Sequence, residues 1–266
     1  MKKNNFNLDD VRKVYGGPEG KLWELVMGEQ IHVGGWKSSK ALADKARIKK
    51  GMKVLDLCSA LGAGLRFLVG NYDVEGFGLD GTKHMIDEAR KRVEEYGLSG
   101  KIDMILGDVT DIPWPDETFD LVWGEDAWCY VVDKNKLIEE AFRVLKSGGE
   151  IAFTDWIEAA AGLSDEEAER INSFMKFPYM ESRTSYGEIL EDAGFRVEVT
   201  EDLTADFADH IELYIRMLTE QLTFDALRII GNDLNLFQAM GKEMAFMLEM
   251  ARKNKFGRCR IVARKI

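Results

Sequence analysis

Apolar positions change period several times along the chain, and each change marks an element. Val54 to Leu57 and Val74 to Leu79 are short apolar runs without alternation, separated by a small-residue turn from Cys58 to Gly64 and a helical stretch from Leu65 to Val69. Such runs suit strands covered on both faces, so the segment predicts a βαβ unit that ends on Asp80. Thr82 is placed to cap a helix whose apolar positions, Met85, Ile86, Ala89, Val93 and Tyr96, recur at helical spacing until Gly97. Strands at Ile102 to Leu106, Phe119 to Trp123 and Ile151 to Thr154 follow, with a helix over 134 to 146 that stops at Ser147-Gly148-Gly149. This alternation predicts an α/β protein with a Rossmann-like, doubly wound sheet of seven mostly parallel strands. Ligands of such sheets sit at the carboxyl ends of the strands. Cys58 to Gly64, Asp80, Asp108, Glu125 to Tyr130 and Asp155 with Trp156 should therefore meet in one crevice.

The flanks read differently. Residues 1 to 12 form a polar lead-in expected to be mobile, and Tyr15 to Trp36 is dense in glycine and aromatics, with Gly16, Gly17, Gly34 and Gly35 bracketing a short helix. A helix over 38 to 46 leads into the first strand. Beyond Trp156, capping boxes at Ser164 with Glu167 and at Ser185 with Glu188 predict two helices, the second running to Gly194. Phe195, Val197 and Val199 then alternate as a half-buried strand. Two helical stripes follow, Phe207, Ile211, Ile215, Leu218 and Leu222, then Phe237, Met240, Met244, Met247, Leu248 and Ala251, before a last strand at 258 to 263. The expected organisation is an N-terminal helical segment (1–50) closing over the crevice, a core (51–156), and a third part (157–266) that supplies the remaining strands and a helical lid at about 202–254.

Charge narrows the partners. A net charge of −11 and a sequence pI near 5.0 argue against a polyanion held on a broad basic face. A small molecule is expected instead of a nucleic acid, with no membrane association. Cys58, Cys129 and Cys259 form no metal-ligand pattern, and no signal peptide or bilayer-length apolar run is read, so a reducing, cytoplasmic setting is expected. An acid at the tip of the second strand suits the hydroxyls of a ribose. A dinucleotide would need G-x-G-x-x-G, and that spacing is not met, which counts against an oxidoreductase.

The run Asp56-Leu-Cys-Ser-Ala-Leu-Gly62 instead resembles the D-x-G-x-G-x-G turn of class I S-adenosylmethionine-dependent methyltransferases, with Cys58 and Ala60 at the first two glycine positions. The resemblance extends through GDVTDIPWPDETFDLVWGEDAW and AFRVLKSGGEIAFTDW. Tyr15, the segment GEQIHVGG and Glu-Asp-Ala-Trp-Cys-Tyr are similar to the N-methyltransferases of sarcosine and dimethylglycine and of phosphoethanolamine. The resemblance implies S-adenosylmethionine as donor, leaving as S-adenosylhomocysteine. It places Asp56, Cys58 and Gly62 at the donor's methionine part, with Glu125 also at the donor. Asp80 falls at the ribose, Gly81 and Met85 near the adenine, Asp108 and Val109 on the adenine edge, and Ile31 and His32 over the donor. Tyr15 matches a tyrosine that pairs with a histidine in the phosphoethanolamine enzymes, a position occupied here by Tyr130. For an amine acceptor, Tyr130, Tyr15 and Asp126 are the candidate catalytic groups, and Trp128, Trp156, Trp36 and Tyr179 could face a methylated ammonium or simply seal the core. Residues 202 to 250 offer only Arg216, Arg228 and Lys242 as strong cations, so a phosphorylated acceptor is disfavoured. A donor-binding sensor without turnover is the alternative, and a monomer or homodimer is expected.

Overall fold

The computed structural model describes residues 3–266. Three helices precede the sheet: α1 (Leu8–Tyr15), α2 (Pro18–Met27) and α3 (Gly35–Ala43). The core follows as β1 (Lys53–Leu57), α4 (Ala63–Tyr72), β2 (Glu75–Asp80), α5 (Lys83–Glu95), β3 (Ile102–Leu106), β4 (Phe119–Glu125), a 3-10 turn (Trp128–Tyr130), α6 (Lys134–Val144) and β5 (Leu145–Glu158). The remainder is α7 (Asp165–Met175), α8 (Arg183–Asp192), β6 (Phe195–Asp202), α9 (Thr204–Arg216), a π-turn (Met217–Gln221), α10 (Thr223–Ile229), α11 (Leu234–Arg252) and β7 (Phe256–Lys265).

The strands form one seven-stranded sheet in the order β3-β2-β1-β4-β5-β7-β6, parallel except for β7, which runs antiparallel to both neighbours. Both faces are covered, as the unalternating strands require. Leu137, Ile138 and Ala141 of α6 and Leu190 of α8 pack on one face, and Leu42, Leu65, Leu68, Ile86 and Ala89 of α3, α4 and α5 on the other. The order reverses between β1 and β4, which sets the crevice at their carboxyl ends.

Several expectations shift. The lead-in is helical from Leu8: Asn7 caps α1 through the N–H of Asp9, Asp10 returns a hydrogen bond to the Asn7 N–H, and Val11 and Val14 are buried. That Asn-x-x-Asp box was readable in the sequence and outweighs the polar composition around it. Residues 1 and 2 lie outside the described residues. α8 begins earlier than Ser185, because Ser182 is its cap and Ser185 the third helical position. β5 is far longer than its apolar stretch, since pairing with β7 continues from Glu150 to Glu158.

The helices predicted as a lid pack on the N-terminal part of the chain. Phe207 and Ile211 of α9 and Met244, Met247 and Met250 of α11 pack with Trp23 and Val26 of α2, so the methionines are lid core. α9 and α11 thus rest on α2, while α1 and the segment from Gln30 to His32 roof the crevice. Among the described residues, no helix is long and apolar enough to cross a membrane.

Candidate active site

A cavity of about 220 Å³ opens at the carboxyl ends of β1, β2 and β4 and is walled entirely by residues between Leu8 and Asp133. Of the residues singled out from the sequence, Tyr15, Ile31, His32, Asp56, Cys58, Asp80, Gly81, Met85, Asp108, Val109, Glu125, Asp126 and Tyr130 line it. Gly62 does not. It caps α4 in the left-handed region (φ 69°), and a Cβ there would meet Met104 and Ala89 on the far side, so it shapes the turn from behind.

The turn keeps a glycine-like backbone without the glycines. Cys58 (φ 60°) and Ala60 (φ 44°) are both left-handed, at a cost of roughly 1–2 kcal/mol each. Asp80 holds this shape: its Oδ2 accepts the Ala60 N–H at 2.9 Å and its Oδ1 the Thr82 N–H at 2.7 Å. Each oxygen keeps a second lone pair, so a ribose could still be bound. Burial raises the Asp80 pKa above the usual carboxylate value.

Asp56 and Glu125 face each other across Gly64, where a Cβ would lie 3.1 Å from Asp56 Oδ2 and from Glu125 Oε2. Only glycine leaves that approach open. Burial first, and then the charges of Glu125 and Asp80, push Asp56 well above its usual pKa. Glu125 Oε2 accepts the Trp123 indole N–H at 3.0 Å, whereas the buried Oε1 has no hydrogen-bond partner and lies 3.4 Å from His32 Nε2. His32 is itself buried, with Nε2 3.1 Å from Ser39 Oγ and Nδ1 3.3 Å from Val33 O. A paired set of desolvated carboxylates, one with an orphaned oxygen, is a ready seat for a cation.

Tyr15 donates to the Tyr130 oxygen at 3.0 Å, with the rings edge-on at 5.6 Å between centroids. Burial raises both phenols above their ordinary value, so both keep their protons at neutral pH. Asp126 has its oxygens engaged: Oδ1 accepts from Arg258 Nε at 2.7 Å and Oδ2 from the Val33 N–H at 2.9 Å. That ion pair is buried on both sides. The expected proton acceptor is thus a tie between the sheet and the roof segment. Asp108 sits exposed at the rim and accepts from the Thr110 N–H and hydroxyl, both at 2.8 Å.

The aromatic candidates stand apart from the cavity. Trp128 stacks on Phe153 at 4.3 Å and donates to Leu57 O at 3.2 Å, Trp156 is buried with Phe207 and Phe256, and Trp36 is half-exposed against Phe67. The two indoles 128 and 156 serve as core. Leu8, Val11 and Gln30 line the cavity without having been singled out, and neither had Arg258 been. The first two follow from the missed cap of α1. Arg258 lies 132 residues from its partner and has no local signal.

Residues 55–153 match a family model described as a methyltransferase domain. Phosphoethanolamine N-methyltransferase 1 of Triticum aestivum is 32% identical over 191 residues, covering 71% of this chain and 38% of the relative. The chain thus spans under two-fifths of that relative's length. Sarcosine/dimethylglycine N-methyltransferase of Halorhodospira halochloris is 26% identical over 221 residues, 76% of this chain and 78% of that protein. A solved structure of a putative sarcosine dimethylglycine methyltransferase from Galdieria sulphuraria superposes with a TM-score of 0.85 at 20% identity, covering 97% and 98% of the two chains. Residues 55–153 thus form a methyltransferase domain, and the chain around it shares its fold over nearly its whole length with a solved methyltransferase structure.

Proposed function

We propose that the protein moves a methyl group from S-adenosylmethionine to the nitrogen of a small amine of the sarcosine or dimethylglycine kind. The observation that carries this reading is the charge of the cavity wall. Asp56, Asp80, Asp108, Glu125, Asp126 and Asp133 line it, and no lysine or arginine does among the described residues. Such a wall favours cationic ligands and opposes phosphorylated ones, which want guanidinium or ammonium forks.

The donor fits the residues present. Asp80 would hold the ribose hydroxyls, and Asp56 and Glu125, with its unpartnered oxygen, would face the methionine ammonium. Bound there, S-adenosylmethionine supplies a methyl already activated on a sulfonium. The protein's part is then orientation and exclusion of water. Leu8 and Val11 of α1, with Ile31 of the roof segment, shield the cavity. Tyr130, its oxygen engaged by the Tyr15 hydroxyl, keeps its own O–H to orient an acceptor. Since neither phenol ionises readily and Asp126 is engaged, the ammonium that the acidic wall attracts gives up its proton to solvent before the nitrogen attacks.

The kept shape of the 58–64 turn supports donor binding, which turnover and a sensor role share. Calorimetric titration with S-adenosylmethionine and S-adenosylhomocysteine, followed by methyl transfer to sarcosine, dimethylglycine and phosphoethanolamine, tests the reading. Micromolar donor binding with transfer to the free amines is expected; donor binding without transfer to any of them would favour the sensor. Tyr130→Phe should lower the turnover rate about tenfold, the size of one lost hydrogen bond, with donor affinity unchanged. A wild-type rate would remove Tyr130 from the mechanism.

A further inference from the structure

Tyr130 rides on the 3-10 turn, and we propose that two buried side chains of opposite charge outside the cavity, Lys134 and Asp155, hold that turn as positioning residues for the Tyr15–Tyr130 pair. Asp155 Oδ1 accepts the N–H of Cys129 at 3.1 Å. Lys134 Nζ donates to the carbonyl of the same Cys129 at 3.4 Å and to that of Val131 at 2.9 Å. The backbone is therefore held before and after Tyr130, at the Cys129 N–H by a carboxylate from the sheet and at the Cys129 and Val131 carbonyls by an ammonium from α6. Each charge is anchored a second time. Lys134 donates to Tyr179 O at 3.1 Å and lies 3.8 Å from that ring's centroid, and Asp155 accepts the Tyr186 O–H at 2.5 Å.

Lys134 is 1% exposed and forms no ion pair with a carboxylate among the described residues. Lysine is rarely fully buried unless paired, and an apolar residue would fill the space at lower cost. What the ammonium does in return is satisfy three main-chain carbonyls around the reactive turn. The inference rests on Tyr130 facing the acceptor, as proposed above.

The groups facing Lys134 are Asp155 on β5, Cys129 on the turn, Glu181 and Tyr179 after α7, and Lys3 near the N-terminus. Those facing Asp155 are Lys134, Tyr186 on α8, Asp126 and Cys129 around the turn, and Cys259 on β7. Burial lowers Lys134 to about 8 and raises Asp155 to about 6. Both charges are present between those values: the cation is lost as pH rises through the upper one, the anion as pH falls through the lower. Folding stability runs the other way. A lysine whose pKa is depressed on folding adds stability as pH climbs from about 8 toward its unfolded value.

The test uses the whole chain labelled with 5-fluorotryptophan and needs no methyl transfer. Trp128 lies on the same turn, and its fluorine signal is assigned by its loss in Trp128→Phe. Titrated without ligand from about pH 5.5 to 9.5, the signal should move with midpoints near 6 and 8. Lys134→Arg should abolish the upper step, since arginine stays charged, and Asp155→Asn the lower one. In assays, Lys134→Met should lower the turnover rate about tenfold with donor affinity within about twofold, and Lys134→Arg should recover most of it. A pH-invariant signal in the wild type overturns the proposal whichever variants fold. Steps that persist in Lys134→Arg and Asp155→Asn overturn it as well. If no acceptor is ever methylated, the fluorine titration still decides the clamp separately from the functional reading.

Discussion

The cavity wall and the lid helices meet at Tyr15, Ile31 and Tyr130 but are built from different materials. The wall comes from residues 8–133 and consists of desolvated carboxylates, left-handed non-glycine residues and side chains that hydrogen-bond to backbone. The lid of α9, α10 and α11 is held by Phe207, Ile211, Met244, Met247 and Met250, with Phe224 and Leu234 left exposed. Fixed dipoles and charges position a ligand but tolerate little change, because an unpaired buried polar group is costly. Flexible, unbranched methionines fill space and repack. The wall should therefore set chemistry and the lid stability, with Tyr214 as a polar link through its hydroxyl to the Gly34 N–H at 3.2 Å.

The sharpest way to break that division is the one ion pair that joins sheet, cavity and roof. Arg258→Ala should cost about 3–5 kcal/mol of unfolding free energy in denaturant titration, because Asp126 is left buried without its cation. A loss under about 1 kcal/mol would mean that water enters and replaces the guanidinium. Next is Met247→Ala, deep in the lid core, which should cost about 2–5 kcal/mol while leaving donor affinity within about twofold. A large drop in donor affinity would show that lid packing reaches the cavity.

Asp80→Ala should do the reverse, weakening the donor roughly 10- to 100-fold while unfolding stays cooperative. Unchanged affinity would remove Asp80 from the ribose. The smallest effect is the pH response of the wall. Asp56 and Asp80 have raised pKa values in the fold, so their protonated forms stabilise the empty protein, and that contribution is lost as pH rises through the folded values. A cationic donor needs them ionised. The thermal shift on adding donor should thus grow as pH rises above the ordinary carboxylate range. A shift that shrinks over that rise would contradict the cation seat.

Much of the site was legible one residue at a time. Acids at the tips of successive strands, Asp80 and Asp108 among them, are readable because strand ends of a parallel sheet share an edge. Leu8 and Val11 were equally local signals, hidden only by the polar residues around them. Arg258, by contrast, carries no mark in its own neighbourhood of the chain.

Period and spacing alone determined the parallel core, the turn from Cys58 to Gly64 and the carboxyl-end crevice, because each depends on contacts within a few tens of residues. Tertiary structure alone decided that Asp126 serves Arg258 and Val33, that Tyr15 meets Tyr130, and that α9 and α11 pack on α2. These are pairings across more than ninety residues in which a side chain's partner fixes its freedom, and no local pattern encodes which partner arrives.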